Sequence, residues 1–147
     1  MARFDIIVGS VLGASEYVAD ALADTLKDHS HSSLIHLVPN YADIAKDSIW
    51  LICTSTHGAG DLPDNIQHFA TQISEQDLNG LSFLVVGLGD SSYDTFCNGA
   101  YTLEQTLIQS GAKLLIPALH IDVLTHPIPE EVAIEWLNNM LPSLALS

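Results

Sequence analysis

Three short segments of the chain concentrate glycine, hydroxyl and aromatic groups: Gly9-Ser10-Val11-Leu12-Gly13-Ala14-Ser15-Glu16, Ser55-Thr56-His57-Gly58-Ala59-Gly60-Asp61 and Gly87-Leu88-Gly89-Asp90-Ser91-Ser92-Tyr93-Asp94. The first has the composition of a turn entering a helix. Its glycines let main-chain N–H groups close around an anion, and Ser10 and Ser15 add hydroxyls, which together suit a phosphate. None of the three segments contains Lys or Arg. A phosphate held there is satisfied by neutral donors and by the helix dipole, worth about 0.3–1 kcal/mol at an exposed site. Taken alone, the segment equally describes an ordinary Gly and Ser turn. The other two segments bring His57 and Tyr93 beside further glycines. A planar ring lying between such side chains gains about 0.5–1.5 kcal/mol of stacking beyond area burial, and the glycines admit main-chain groups to its rim. Singly, Tyr93 reads as an exposed turn tyrosine and His57 as a solvated loop histidine, so any role depends on the segments converging.

Convergence has to come from the elements in front of them. Short β-branched runs alternate with segments of helical period, the pattern of repeated βαβ units around a parallel sheet. Five strands are expected: Phe4 to Val8, about Leu34 to Val38, Ile49 to Thr54, Phe83 to Gly87 and around Leu114 to Leu119. Several are apolar almost throughout, as strands covered on both faces must be. Between Ser15 and Asp28, Val18, Leu22 and Leu26 recur at helical spacing, with Asp20, Asp24 and Lys27 left for water. A second helix is expected from about Asp64 through Ile73, and a third between Asp94 and Gly111. The last begins at Pro129, with Glu130 and Glu131 in its positive first turn, and ends at Pro142. Its expected buried stripe is Val132, Trp136, Leu137, Met140 and Leu141. In a parallel sheet all strand C-terminal ends lie on one edge, so the segments after the first, third and fourth strands meet there.

The whole chain sets bounds on what such an edge can serve. Its 147 residues fit one domain, residues 1–147, able to bury roughly two-thirds of its unfolded surface. With 48% hydrophobic and 15% charged residues and no low-complexity tract, it reads as globular. No run reaches the length of a membrane span and the N-terminus lacks a secretion signal, so a cytoplasmic protein is expected. Cys53 and Cys97 make neither a disulfide framework nor a metal knuckle and read as free, packed thiols. Eighteen acidic residues against four basic ones give a formal charge of −14. That balance argues against nucleic acid and anionic membranes and favours a partner with a basic patch.

Other chemistries lack essential parts. His57-Gly58-Ala59-Gly60 has the look of an esterase oxyanion loop, but no Gly-x-Ser-x-Gly supplies a nucleophile. A receiver-like signalling domain needs an acidic pair after the first strand, where this chain has Gly9-Ser10, and a Lys after the fifth, whereas Lys113 precedes it. The first loop also lacks the Gly-x-Gly-x-x-Gly of a dinucleotide site. His29, His31 and His36 invite a metal reading, but the segment Lys27 to Ser33 reads more simply as a polar connection at the edge away from the loops. No catalytic group and no metal site are therefore expected.

The three loops, in this order and spacing, resemble those of flavodoxin-like FMN proteins, α/β domains with a doubly wound five-stranded parallel sheet in the order 2-1-3-4-5. The likeness spans nearly the whole chain. It is closest in Ser55 to Asn65, in Tyr93-Asp94-Thr95-Phe96-Cys97, and in Asp122-Val123-Leu124 with Ile128-Pro129-Glu130 and Glu135-Trp136-Leu137, segments similar to those of bacterial short-chain members. The resemblance implies one FMN. Ser10, Gly13 and Ser15 would wrap its phosphate, with N–H groups from Val11, Leu12 and Ala14; Leu12 stands where many members place a hydroxyl. Tyr93 matches the outer stacking residue and His57 takes the inner position. Gly58 falls where a peptide accepts a hydrogen bond from flavin N5–H. Ser55, Thr56, Gly60, Gly89, Asp90 and Phe96 complete the expected contacts. With no second domain for NADPH, the resemblance implies a monomeric electron carrier. Its donor would be a flavodoxin reductase-type flavoprotein, and its acceptor a redox enzyme such as an iron–sulfur enzyme of biotin synthesis.

Overall fold

Apolar runs long enough to cross a sheet, separated by stretches of helical period, produce the layered arrangement seen in the computed structural model, which describes residues 2–10, 13–56, 61–92 and 96–144. In chain order the elements are β1 (Arg3–Gly9), α1 (Ala14–Asp28), β2 (Ser32–His36), β3 (Ile49–Ser55), α2 (Asp64–Ser74), β4 (Ser82–Gly89), α3 (Asn98–Gln109), β5 (Lys113–Leu114), β6 (Leu119–Asp122) and α4 (Pro129–Met140). All pairings are parallel, in the order β2-β1-β3-β4-β5, with β6 also paired to β4. The doubly wound sheet expected from the sequence is thus present.

Side chains alternate across the central strands. Phe4, Ile6, Val8, Leu51, Cys53, Leu84 and Val86 pack with Val18, Leu22 and Leu26 of α1 and Ala133 and Leu137 of α4. On the other face Ile7, Trp50, Ile52, Phe83 and Val85 meet Ile66, Phe69 and Ile73 of α2 and Ala100, Leu103 and Leu107 of α3. Each such large apolar side chain contributes about 1.5–3 kcal/mol relative to an exposed one. Trp50 is fully buried and donates through Nε1 to Ala45 O at 2.8 Å. The helix over β4 comes very close: a Cβ on Gly87 would stand 2.5 Å from Ala100 Cβ.

Three expectations need correction. The second strand is Ser32–His36 and not Leu34 to Val38; Val38 is 83% exposed. Its start is set when Ser32 N donates to Ala2 O at 3.1 Å, and as an edge strand it shows little of the burial that hydropathy tracks. The expected fifth strand is two pieces. Lys113–Leu114 pairs with Ser82–Phe83 and Leu119–Asp122 with Val86–Gly89, on either side of a stretch holding Pro117, which has no N–H for a ladder. The buried stripe of α4 is narrower than expected, since Val132, Trp136 and Met140 are only partly covered.

The histidines also separate. His31 Nδ1 accepts from Ala2 N at 2.9 Å and His29 meets Asn138 at 2.8 Å. His36 lies within β2, its Nε2 2.7 Å from Oδ1 of fully buried Asp5, whose Oδ2 accepts from Ser48. No helix among the described residues is long and apolar enough to cross a membrane.

Candidate functional site

The C-terminal ends of β1, β3, β4 and β6 bring Ser10, Ser55-Thr56, Gly89-Asp90 and Asp122-Val123 to one edge, beside the start of α1. A cleft of about 220 Å³ opens between them, lined by Ala14, Ser55, Thr56, Leu88, Gly89, Asp90 and Val123. Ala14, Ser55, Thr56, Gly89 and Asp90 were expected from the sequence. Leu88 and Val123 were not.

Gly13 precedes α1 in the left-handed region, φ +88°, and as a glycine at the N-cap it offers no side chain to cap the helix. Its first-turn N–H groups carry the positive end of the helix dipole toward this edge. Ser10 Oγ accepts from Gly13 N at 2.9 Å and donates to Glu16 Oε2 at 3.2 Å. Ser15 is buried, with its Oγ 2.5 Å from Ser55 Oγ. Only one hydroxyl donates across that pair, so the other O–H is left for an anion or a main-chain oxygen.

The wall opposite is fixed by main-chain contacts. Thr56 Oγ1 accepts from Gly99 N at 3.0 Å, and a Cβ on Gly99 would lie 2.9 Å from Ser55 O. Glycine is therefore what lets α3 start against β3. A Cβ on Gly89 would meet Cys97 N at 2.7 Å, and Gly89 O accepts from Val123 N at 2.9 Å. Asp90 turns back on its own segment, taking Ser92 N at 2.8 Å and Ser92 Oγ at 2.6 Å. Phe96 is not among the cleft's lining residues; it packs edge-on against His120, ring centroids 6.4 Å apart.

Asp122 Oδ1 accepts from Ser91 N at 3.2 Å and Leu124 N at 3.0 Å, latching the segment after β4 to the end of β6. A side-chain hydrogen bond with Ser91, above all, holds its carboxyl below the usual carboxylate value, the Leu124 and Ser91 N–H bonds adding to it and burial opposing. Burial pushes both thiols up to about 12. Cys53 and Cys97 therefore stay protonated and are not nucleophiles. Among the described residues, no group of three or more His, Cys, Asp or Glu could hold a metal ion.

Charge is distributed along the sheet direction. Arg3 and Lys113 open β1 and β5, Lys27 closes α1 and Lys46 precedes β3, all toward the opposite edge. Asp90 lines the cleft, Asp122 ends β6, Glu16 lies in the first turn of α1 and Asp61 precedes α2. Sequence reasoning assigned no role to Asp122, Val123 or Asn65, although all three fall in segments that carried the resemblance. The expected contacts Val11, Leu12, His57, Gly58, Gly60 and Tyr93 lie outside the described residues.

A family model described as Flavodoxin matches residues 6–136. A protein named as a MioC homolog in Haemophilus influenzae is 44% identical, the match covering 95% of this chain and 97% of that one. Among solved structures, a cysteine-to-alanine variant of a Pseudomonas aeruginosa flavodoxin superposes with a TM-score of 0.89 at 31% identity, covering 97% and 98% of the two chains. A Fusobacterium nucleatum flavodoxin bound to flavin mononucleotide shares the fold, with a TM-score of 0.79 at 17% identity, covering 97% and 99%.

Proposed function

The chain belongs to the flavodoxin family, and from that premise we propose that it binds one FMN at the cleft edge and carries electrons between redox proteins. The observation that carries the reading is the meeting of the uncapped start of α1, Ser10, Ser15-Ser55, Thr56 and Gly89-Asp90 at the C-terminal edge of one parallel sheet. This donor set suits the group: neutral N–H and O–H donors at a helix N-terminus for the phosphate, and exposed main chain bordering a shallow cleft for the ring.

Ser10, Gly13, Ala14 and Ser15 hold the phosphate on this reading, with Val11 and Leu12 adding N–H groups. Ser55, Thr56, Gly89 and Asp90 would border the ring, and the resemblance implies that His57, Gly58, Gly60 and Tyr93 would complete its surroundings. Phe96 supports Gly89 from behind, its Cδ1 3.1 Å from where a Cβ would stand. Bound flavin supplies one- and two-electron redox chemistry, and the protein sets its access and potential. The proposed donor is a flavodoxin reductase-type flavoprotein. The proposed acceptor is a redox enzyme with a basic docking patch, with an iron–sulfur enzyme of biotin synthesis as the class to test, and the carrier acts as a cytoplasmic monomer.

Titration of the apo-protein with FMN, followed by flavin fluorescence and visible absorption, tests the reading. Quenching that saturates at one flavin per chain is expected. Spectra that stay those of free FMN would overturn it.

A further inference from the structure

Asn65, in the first turn of α2, commits its whole side chain to the ends of two strands. Its Oδ1 accepts from Ser10 N at 2.9 Å, while Nδ2 donates to Val8 O at 2.8 Å and to Leu37 O at 2.9 Å. Val8 and Ser10 flank Gly9, the last residue of β1, and Leu37 directly follows β2. Where a ladder stops, its next main-chain groups lose their partners, and an amide can satisfy an N–H and two carbonyls at once. A carboxylate of the same shape has no N–H to give. Gly9 makes the reach possible. A Cβ there would stand 2.2 Å from Thr54 Oγ1 and 3.0 Å from Cγ2 of Ile66, the neighbour of Asn65, so β1 ends pressed against α2.

We propose that Asn65 is a positioning residue for the phosphate loop: it fixes Ser10 through the main chain and leaves the ligand to Ser10 and its neighbours. Asn65 does not line the cleft. Its effect passes through Ser10, whose Oγ accepts from Gly13 N and so couples Ser10 to the left-handed residue that aims the start of α1. The inference rests on the FMN reading and specifies how that site keeps its shape. Because the loop holds the phosphate end, loss of Asn65 weakens FMN far more than riboflavin, which has no phosphate.

The test measures FMN and riboflavin affinity for wild type, Asn65→Ala and Asn65→Asp, together with hydrogen exchange of the Ser10 and Ile52 amides in the apo-proteins. Asn65→Ala should lose about tenfold or more in FMN affinity, as expected for one lost fixing contact to a charged group, and less than about threefold for riboflavin. Its Ser10 amide should exchange faster than in wild type, while Ile52 in the central strand keeps its protection. Asn65→Asp keeps the acceptor for Ser10 N. It should retain slow Ser10 exchange while losing FMN affinity through its charge, and it serves as the folded comparison if the Ala variant does not fold. Equal losses for the two ligands, or Ser10 exchange unchanged in Asn65→Ala, would overturn the proposal. Failure of wild type to bind FMN would instead overturn the functional reading, with the exchange data still reporting on the Ser10 anchor.

Discussion

Ser10 and Ser15 reach the same end of α1 by different routes, and their substitutions should differ accordingly. Ser10 is half-buried and held by Gly13 N and Glu16, whereas Ser15 is fully buried against Ser55. A hydrogen bond to a charged phosphate contributes about 1.5–3 kcal/mol, so each Ala variant should lose about tenfold or more in FMN affinity with little change for riboflavin. Ser15→Ala should also lower the melting temperature, because it strands Ser55 in a partly buried place, while Ser10→Ala should not; titration and thermal melts check both. Asp122 gives the pH dependence. Its folded pKa lies below the ordinary value of 3.8, so the stability it adds is present above that value and is lost as pH falls through the lowered one. Asp122→Ala should therefore melt below wild type at neutral pH, with the gap closing in strong acid. A gap of constant size would show that the Ser91 and Leu124 bonds are not what lowers the carboxyl.

At the scale of elements, the closeness of helix and strand is set by glycine. The 2.5 Å approach that a Cβ on Gly87 would make to Ala100 Cβ cannot be accommodated without moving α3. Gly87→Ala should destabilise the fold by about 1–3 kcal/mol, in the range of overpacked cores, and Ala100→Gly in the same chain should recover part of it. Urea unfolding of the two variants against wild type measures this, and full additivity would disprove the contact. The helices were legible from a periodic apolar stripe, as in α1, or from an end signal, as where Pro129 with Glu130 and Glu131 opens α4. Edge strands were less so. β2 buries little, and the run from Leu114 to Leu119 is apolar enough to read as one strand although Pro117 interrupts it.

Across the molecule, the four basic side chains lie toward one edge of the sheet and Glu16, Asp61, Asp90 and Asp122 toward the other, within a net charge of −14. A field of this shape steers a basic partner to the edge where the cleft opens, and it weakens as the Debye length shrinks to about 8 Å at 0.15 M salt. Stopped-flow electron transfer from a flavodoxin reductase should accordingly be fastest at low salt. Asp61→Asn with Asp90→Asn should slow it at low salt and flatten the salt dependence. Rates indifferent to both changes would mean that the acidic surface serves solubility alone.

The order of the sheet was implied by the family resemblance; the sequence by itself determined the alternation of strands and helices and which segments gather at the C-terminal edge. Those follow from hydropathy period and chain direction, which are local records of burial. Tertiary structure decided which partner each polar side chain takes: Asn65 with Ser10, Ser15 with Ser55, Asp122 with Ser91 and His36 with Asp5, across separations of 55, 40, 31 and 31 residues. Amides, hydroxyls and carboxylates accept many partners, so spacing along the chain cannot select among them. The packed sheet does, by bringing one donor and one acceptor within reach and burying the alternatives.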